Sequence, residues 1–97
     1  MKKKIAILGS TGSIGKTLFK ILKKDKIKFE ITLLTANKNV KELLKQVKIF
    51  KVKNIIITDN KKFLFLKKNL HKSKIKIYNN FDNIDNIFAK IKNDYVM

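Results

Sequence analysis

A short apolar run, Ile5-Ala6-Ile7-Leu8, passes directly into Gly9-Ser10-Thr11-Gly12-Ser13-Ile14-Gly15 and then into a helix-patterned segment that ends near Lys24. A strand that empties into a glycine turn and restarts as a helix is the first half of a βαβ unit, so this segment commits the chain to a parallel α/β fold. Such a turn also lets backbone N–H groups at a helix N-terminus approach a phosphate closely. The spacing is Gly-x-x-Gly-x-x-Gly, against Gly-x-Gly-x-x-Gly in the plain dinucleotide fingerprint, but the physical needs are the same. Gly9 lets the chain leave the strand, Gly12 lets a phosphate or ribose lie against backbone with no Cβ between them, and Gly15 lets the helix pack close to the first strand. Thr11 and Ser13 add hydroxyls able to donate to phosphate oxygens.

The rest of the chain alternates in the same way. Strands are predicted at Lys4–Leu8, Glu30–Thr35, Asn54–Thr58 and Ile75–Tyr78, with a fifth beginning at Asp94-Tyr95-Val96-Met97. Helices are predicted over Ser13–Lys24, with Ile14, Leu18, Ile21 and Leu22 inward, and over Val40–Phe50, with Val40, Leu43, Leu44 and Val47 inward. Asn39 and Glu42 form a capping-box pair at the start of the second. A third helix follows Asp59-Asn60 and runs from Lys61 to Leu70. A fourth, capped by Asp82 or Asn83, runs from Ile84 to Lys92 on a stripe of Ile84, Ile87, Phe88 and Ile91. The expected fold is a Rossmann-like, doubly wound parallel sheet, with the chain cut through its fifth strand.

Ninety-seven residues make one domain, small for a complete metabolic enzyme. With no cysteine, thiolate chemistry and disulfides are excluded. After Met-Lys-Lys-Lys only four apolar residues precede Gly9, so neither a signal peptide nor a membrane span is expected, and the protein reads as cytoplasmic. A formal charge of +17 would ordinarily suggest nucleic acid. All 24 basic residues are lysine, however, and they are spread over nearly every segment. A nucleic-acid reader would retain arginine, whose planar fork grips phosphate and guanine at two points. Solvated surface lysines are the better account, and the expectation is no nucleic acid and no membrane.

Gly15-Lys16-Thr17 matches the end of a triphosphate P-loop, but the first glycine of that motif would fall at Ser10, and Lys16 would point away from the turn. The end of the second strand is more informative. An NAD-binding fold places an acid about 20 residues beyond the glycines to accept from the ribose 2′-hydroxyl. Here the chain reads Thr35-Ala36-Asn37-Lys38-Asn39-Val40, with no acid. Lysine partners a 2′-phosphate well, and Asn37 and Asn39 can donate beside it, which points to NADP(H) over NAD(H).

Taken together, Gly9 to Gly15 and Ala36 to Val40 closely resemble the N-terminal NADPH-binding domain of the 1-deoxy-D-xylulose 5-phosphate reductoisomerase family, over essentially the whole chain in layout. The resemblance implies that Thr11, Gly12, Ser13 and Ile14 line the cofactor pyrophosphate and adjacent ribose, flanked by Gly9 and Gly15. It also implies that Lys38 and Asn39 meet the adenosine 2′-phosphate. Asn37 stands where many members carry glycine, and asparagine tolerates a left-handed backbone better than most residues; a backbone contact is expected there. The implied reaction isomerises 1-deoxy-D-xylulose 5-phosphate and reduces it with NADPH to 2-C-methyl-D-erythritol 4-phosphate. It uses a divalent metal (Mg or Mn) held by an Asp and two Glu, in a homodimeric enzyme. Those ligands lie beyond these residues, so no catalytic or metal residue is expected here and the chain alone should be inactive. His71 and the scattered acids Asp25, Glu30, Glu42, Asp59, Asp82, Asp85 and Asp94 read as surface and capping positions. A short-chain dehydrogenase relative would need a lysine four residues after a tyrosine, where Tyr78 is followed by Asp82. Another NADP-binding oxidoreductase or epimerase fragment, and a basic nucleic-acid-binding module, are the alternatives.

Overall fold

In the structure, a computed structural model that describes residues 2–82, 84–90, 93 and 95–97, β1 (Lys3–Ile7) and α1 (Ser13–Lys24) are followed by a single 3-10 turn at Lys26–Lys28 and then β2 (Phe29–Ala36). The remainder is α2 (Val40–Phe50), β3 (Asn54–Ile57), α3 (Asn60–Asn69), β4 (Lys76–Tyr78), α4 (Ile84–Lys90) and β5 (Tyr95–Val96). All pairings are parallel and the strand order is β4-β3-β2-β1-β5. From β1 the chain walks outward through β2, β3 and β4, then crosses back to lay β5 on the other side of β1. That reversal makes the carboxyl end of β1 the topological switch point, where open α/β sheets bind ligands.

Right-handed crossovers put α1, α2 and α3 on one face and α4 on the other. The core divides accordingly. Ile5, Ile7, Leu34, Ile55 and Ile57 meet Phe19, Leu22, Leu43, Val47 and Leu66 on the three-helix face. Ala6, Leu33 and Ile56 meet Ile87 on the α4 face, with Ile84 and Phe88 packed alongside. Central strands covered on both faces must be apolar throughout, which is why Ile5-Ala6-Ile7 and Ile55-Ile56-Ile57 are uninterrupted runs. The sheet is doubly wound as expected, and strand bounds shift by one or two residues. Asn83, Ile91, Lys92 and Asp94, given to the fourth helix and fifth strand, lie outside the described residues.

The inward face of α1 differs in part from expectation: Leu22 is buried and Leu18 half-buried as expected, but Ile14 and Ile21 are not. Ile14 is 79% and Ile21 58% exposed, while Gly15, Phe19 and Leu22 are buried. Both stripes have helical spacing, so periodicity alone does not choose between them. The choice is made by Gly15, whose missing side chain allows close contact with the turn and brings Phe19 and Leu22 inward with it. Phe19 then meets Phe50 of α2 edge to face, with ring centroids 5.2 Å apart. A second feature escaped the pattern: the β1–β2 register shifts between Ile5 and Ala6. At that bulge the Thr32 hydroxyl reaches the Ile5 carbonyl (3.3 Å) and the Asn93 amide group, and Asn54 Nδ2 donates to the Thr32 carbonyl (3.2 Å). The local break in the ladder is thus satisfied by side chains.

The α1 assignment makes a contrast between neighbours. Leu22→Ala is expected to cost about 2–5 kcal/mol, and Ile21→Ala no more than about 0.5, in denaturant unfolding. Equal losses would return Ile21 to the core.

Candidate functional site

The glycine turn at the end of β1 is braced from two neighbouring elements. Gly9 has φ +66°, a conformation that excludes most side chains, and its N–H donates to Thr35 Oγ1 at 2.7 Å. Ser10, fully buried, donates its N–H to the Thr35 carbonyl (2.8 Å), and its own carbonyl accepts from Gln46 Nε2 (2.9 Å). Gln46 is itself 1% exposed, and its Oε1 has no partner among the described residues. Thr35 and Gln46 were not singled out from sequence. The signal was a polar residue at an inward position: Gln46 three residues after Leu43 on α2, and Thr35 within the buried run of β2.

The three glycines do three different jobs. At Gly15 an added Cβ would lie 2.3 Å from the Gly9 carbonyl oxygen and 2.7 Å from Ser10 Cα, both backbone atoms that cannot yield. At Gly12 it would meet only the Gly9 oxygen, at 3.5 Å, an ordinary contact, and its φ of −76° suits any residue. The protein itself therefore does not require glycine at 12; what a side chain there would obstruct is the open side of the turn.

Gly12 is the N-cap of α1 and supplies no side-chain cap. Its N–H turns back to the Gly9 carbonyl (3.1 Å), and the first intrahelical bond runs from the Lys16 N–H to the Gly12 carbonyl (2.8 Å). The N–H groups of Ser13, Ile14 and Gly15 consequently have no acceptor among the described residues. No acid occupies the first turn, so no side chain competes for the positive end of the helix dipole. Thr11 is half-buried, while Ser13 and Ile14 are exposed beside these amides. This arrangement suits an anionic group: fixed donors, a favourable dipole and no Cβ at Gly12. Lys16 lines the crevice between α1 and α2 with Lys20, Lys45 and Gln46.

The loop after β2 is tied sideways. Asn37 Oδ1 accepts from Thr58 Oγ1 (2.8 Å), and the Asn37 carbonyl accepts from the Asp59 N–H (3.0 Å). Among the described residues Lys51 alone, at the end of α2, is a non-glycine with positive φ, so Asn37 does not adopt the left-handed backbone that a glycine equivalent would suggest. Asn39 caps α2, its Oδ1 accepting from the Glu42 N–H at 3.1 Å, which leaves its Nδ2 as a donor. Lys38 is exposed between them. Asn37, Lys38 and Asn39 thus stand at the carboxyl end of β2, on the same edge of the sheet as the turn after β1. Among the described residues there is no group of three or more His, Cys, Asp or Glu able to hold a metal ion, and no helix long and apolar enough to cross a membrane.

A parallel sheet of this order with a glycine turn at its switch point places the chain in the Rossmann-type α/β class, the architecture of dinucleotide-binding domains. Comparison with known proteins carries this further. The family model described as 1-deoxy-D-xylulose 5-phosphate reductoisomerase matches residues 5–97. The reductoisomerase of Pelagibacter ubique is 56% identical over 96 residues, covering 98% of this chain and 25% of that protein. A solved reductoisomerase from Zymomonas mobilis in complex with NADPH superposes with a TM-score of 0.84 at 28% identity, over 100% of this chain and 25% of that one. Another, a reductoisomerase in complex with NADPH, fosmidomycin and magnesium, shares the fold, with a TM-score of 0.83 at 24% identity over 97% of this chain and 23% of that one. The chain belongs to the 1-deoxy-D-xylulose 5-phosphate reductoisomerase family and spans about a quarter of the length of the curated relatives it matches.

Two substitutions separate shape from bracing. Gly15→Ala is expected to cost on the order of 3 kcal/mol by forcing α1 off the turn, whereas Gly12→Ala should stay within about 1; thermal and denaturant unfolding read both. Gln46→Leu should cost about 1–3 kcal/mol, because it strands the buried Ser10 carbonyl.

Proposed function

We propose that this chain is the cofactor-binding part of an NADPH-dependent reductoisomerase that converts 1-deoxy-D-xylulose 5-phosphate to 2-C-methyl-D-erythritol 4-phosphate. The observation that carries the reading is the pairing of the unpartnered amides of Ser13, Ile14 and Gly15 with an acid-free β2 end that presents Lys38 on the same sheet edge. Gly9, Thr11, Gly12, Ser13, Ile14 and Gly15 form the cradle for the pyrophosphate and its ribose. Gly9 contributes through its conformation, since its N–H is committed to Thr35. Lys38 and the Asn39 amide hold the adenosine 2′-phosphate. Asn37 shapes the loop, because both of its oxygens are engaged by Thr58 and Asp59. NADPH, when bound, supplies the hydride for the reduction.

In this reading the work of these 97 residues is binding and orientation. The divalent metal, which polarises the substrate carbonyl, and the substrate itself belong to residues of the whole protein outside them, so the chain alone does not turn over substrate. The complete protein is read as a cytoplasmic homodimer.

Lys38→Glu should weaken NADPH binding by about one to two orders of magnitude, roughly 1.4–3 kcal/mol, with little change for NADH. Calorimetric titration with both cofactors decides the matter: equal losses would remove the 2′-phosphate assignment. Gly12→Val should abolish binding of both cofactors while helix content by circular dichroism is kept, and an unaltered affinity would show that the turn cradles no phosphate.

A further inference from the structure

The peptide between Ser10 and Thr11 is held from one side. Its carbonyl, on the fully buried Ser10, accepts from Gln46 Nε2 at 2.9 Å, while its N–H, that of Thr11, has no acceptor among the described residues. The peptide is trans, and a trans peptide is planar with its C=O and N–H directed to opposite sides. Turning the Ser10 carbonyl toward α2 therefore turns the Thr11 N–H away from α2. The amides on either side are committed, those of Gly9 and Ser10 to Thr35 and that of Gly12 to the Gly9 carbonyl. Thr11 thus adds a fourth N–H without an acceptor to those of Ser13, Ile14 and Gly15. The other three take their direction from α1, but Thr11 precedes the helix and takes its direction from the peptide that Gln46 holds.

Gln46 is 1% exposed, and its Oε1 has no partner among the described residues, so the bond to Ser10 is the use its amide finds there. Exchanging the two ends of the amide would set oxygen against oxygen, which fixes Nε2 toward the carbonyl. A buried side chain with an idle acceptor is not explained by packing, since a hydrocarbon of the same length would fill the space without one. A hydrocarbon would, however, leave the Ser10 carbonyl free to turn. A peptide turned over would present its oxygen where the N–H had been, and an oxygen repels a phosphate that an N–H attracts.

We propose that Gln46 is a positioning residue for the cofactor: by holding the Ser10 carbonyl it aims the Thr11 N–H at the pyrophosphate, beside the three amides that α1 supplies. The inference rests on the NADPH reading above and adds to it a residue buried behind the turn. Gln46 is carried by α2, the helix that begins just past Lys38 and Asn39. A substitution that displaced α2 would disturb the 2′-phosphate end as well, whereas one that only releases the Ser10 peptide would act on the pyrophosphate alone.

The test compares, in the whole protein, NADPH with adenosine 2′-monophosphate, a probe that carries the 2′-phosphate and no pyrophosphate. Gln46→Met, which fills the same space without a donor, is expected to weaken NADPH about fivefold to thirtyfold and to leave the monophosphate within about twofold. A second measurement needs no variant: in the wild-type protein, hydrogen exchange of the Thr11 amide is expected to slow when NADPH binds. Unchanged NADPH affinity in Gln46→Met, an equal loss for both ligands, or a Thr11 amide whose exchange NADPH leaves unaltered would each overturn this inference and leave the NADPH reading standing. A wild-type protein that binds neither ligand would overturn both.

Discussion

The close approach of α1 to the turn that precedes it governs the rest of this domain. At Gly15 there is no space for a single carbon: a Cβ would lie 2.3 Å from one backbone oxygen. Because the helix can lie directly on the Gly9–Ser10 backbone, its first amides arrive at the carboxyl end of the central strand, at the switch point of the sheet. The same contact sets the rotation of the helix. Phe19 and Leu22 follow Gly15 at helical spacing and enter the core, which leaves Ile14 and Ile21 facing outward.

A turn that presents unpartnered amides is useful only if it does not collapse to satisfy them, and the bracing around it supplies that constraint. Thr35 takes the Gly9 and Ser10 N–H groups, Gln46 takes the Ser10 carbonyl, and Gly12 closes back on Gly9. With these groups committed, the N–H groups of Thr11, Ser13, Ile14 and Gly15 are left without an acceptor among the described residues. The loop after β2 is fastened in turn to the loop after β3 through Asn37, Thr58 and Asp59. Three successive strand ends therefore form one hydrogen-bonded edge. Preorganisation of this kind lowers the ordering cost of binding. Packing alone leaves room for a Cβ at Gly12.

The surplus of positive charge acquires meaning only locally. Most of the lysines are exposed, on helices, strand ends and loops alike, where screening makes each worth little. Between α2 and α3, Lys38, Lys41, Lys61 and Lys62 converge on a hollow that Val40, Leu44 and Phe65 also line. Composition could not separate these two situations, because the convergence depends on strands β2 and β3 being neighbours.

Much of the architecture was legible in the sequence because its determinants are local. The alternation of apolar runs with helical stripes, the caps Asn39 and Asp59, and the glycine turn each act within a few residues. The residues proposed to hold the cofactor were legible for the same reason: they occupy two contiguous segments whose chemistry is carried by spacing. What escaped was every feature that depends on a partner distant in sequence. The buried stripe of α1 was decided by a steric contact with residues before the helix. Thr35 and Gln46 acquired their bracing roles only when β2 and α2 folded against the turn, 25 and 36 residues away from Ser10. The bulge at Thr32 arose from the pairing of β1 with β2. By itself the sequence determined the doubly wound α/β class, the glycine turn between β1 and α1 and the acid-free end of β2, since these follow from residue identity, backbone propensity and periodicity. Only the tertiary structure decided which amides remain free, which glycine packing requires and which lysines share a hollow, since these follow from distances between segments that the chain order does not state.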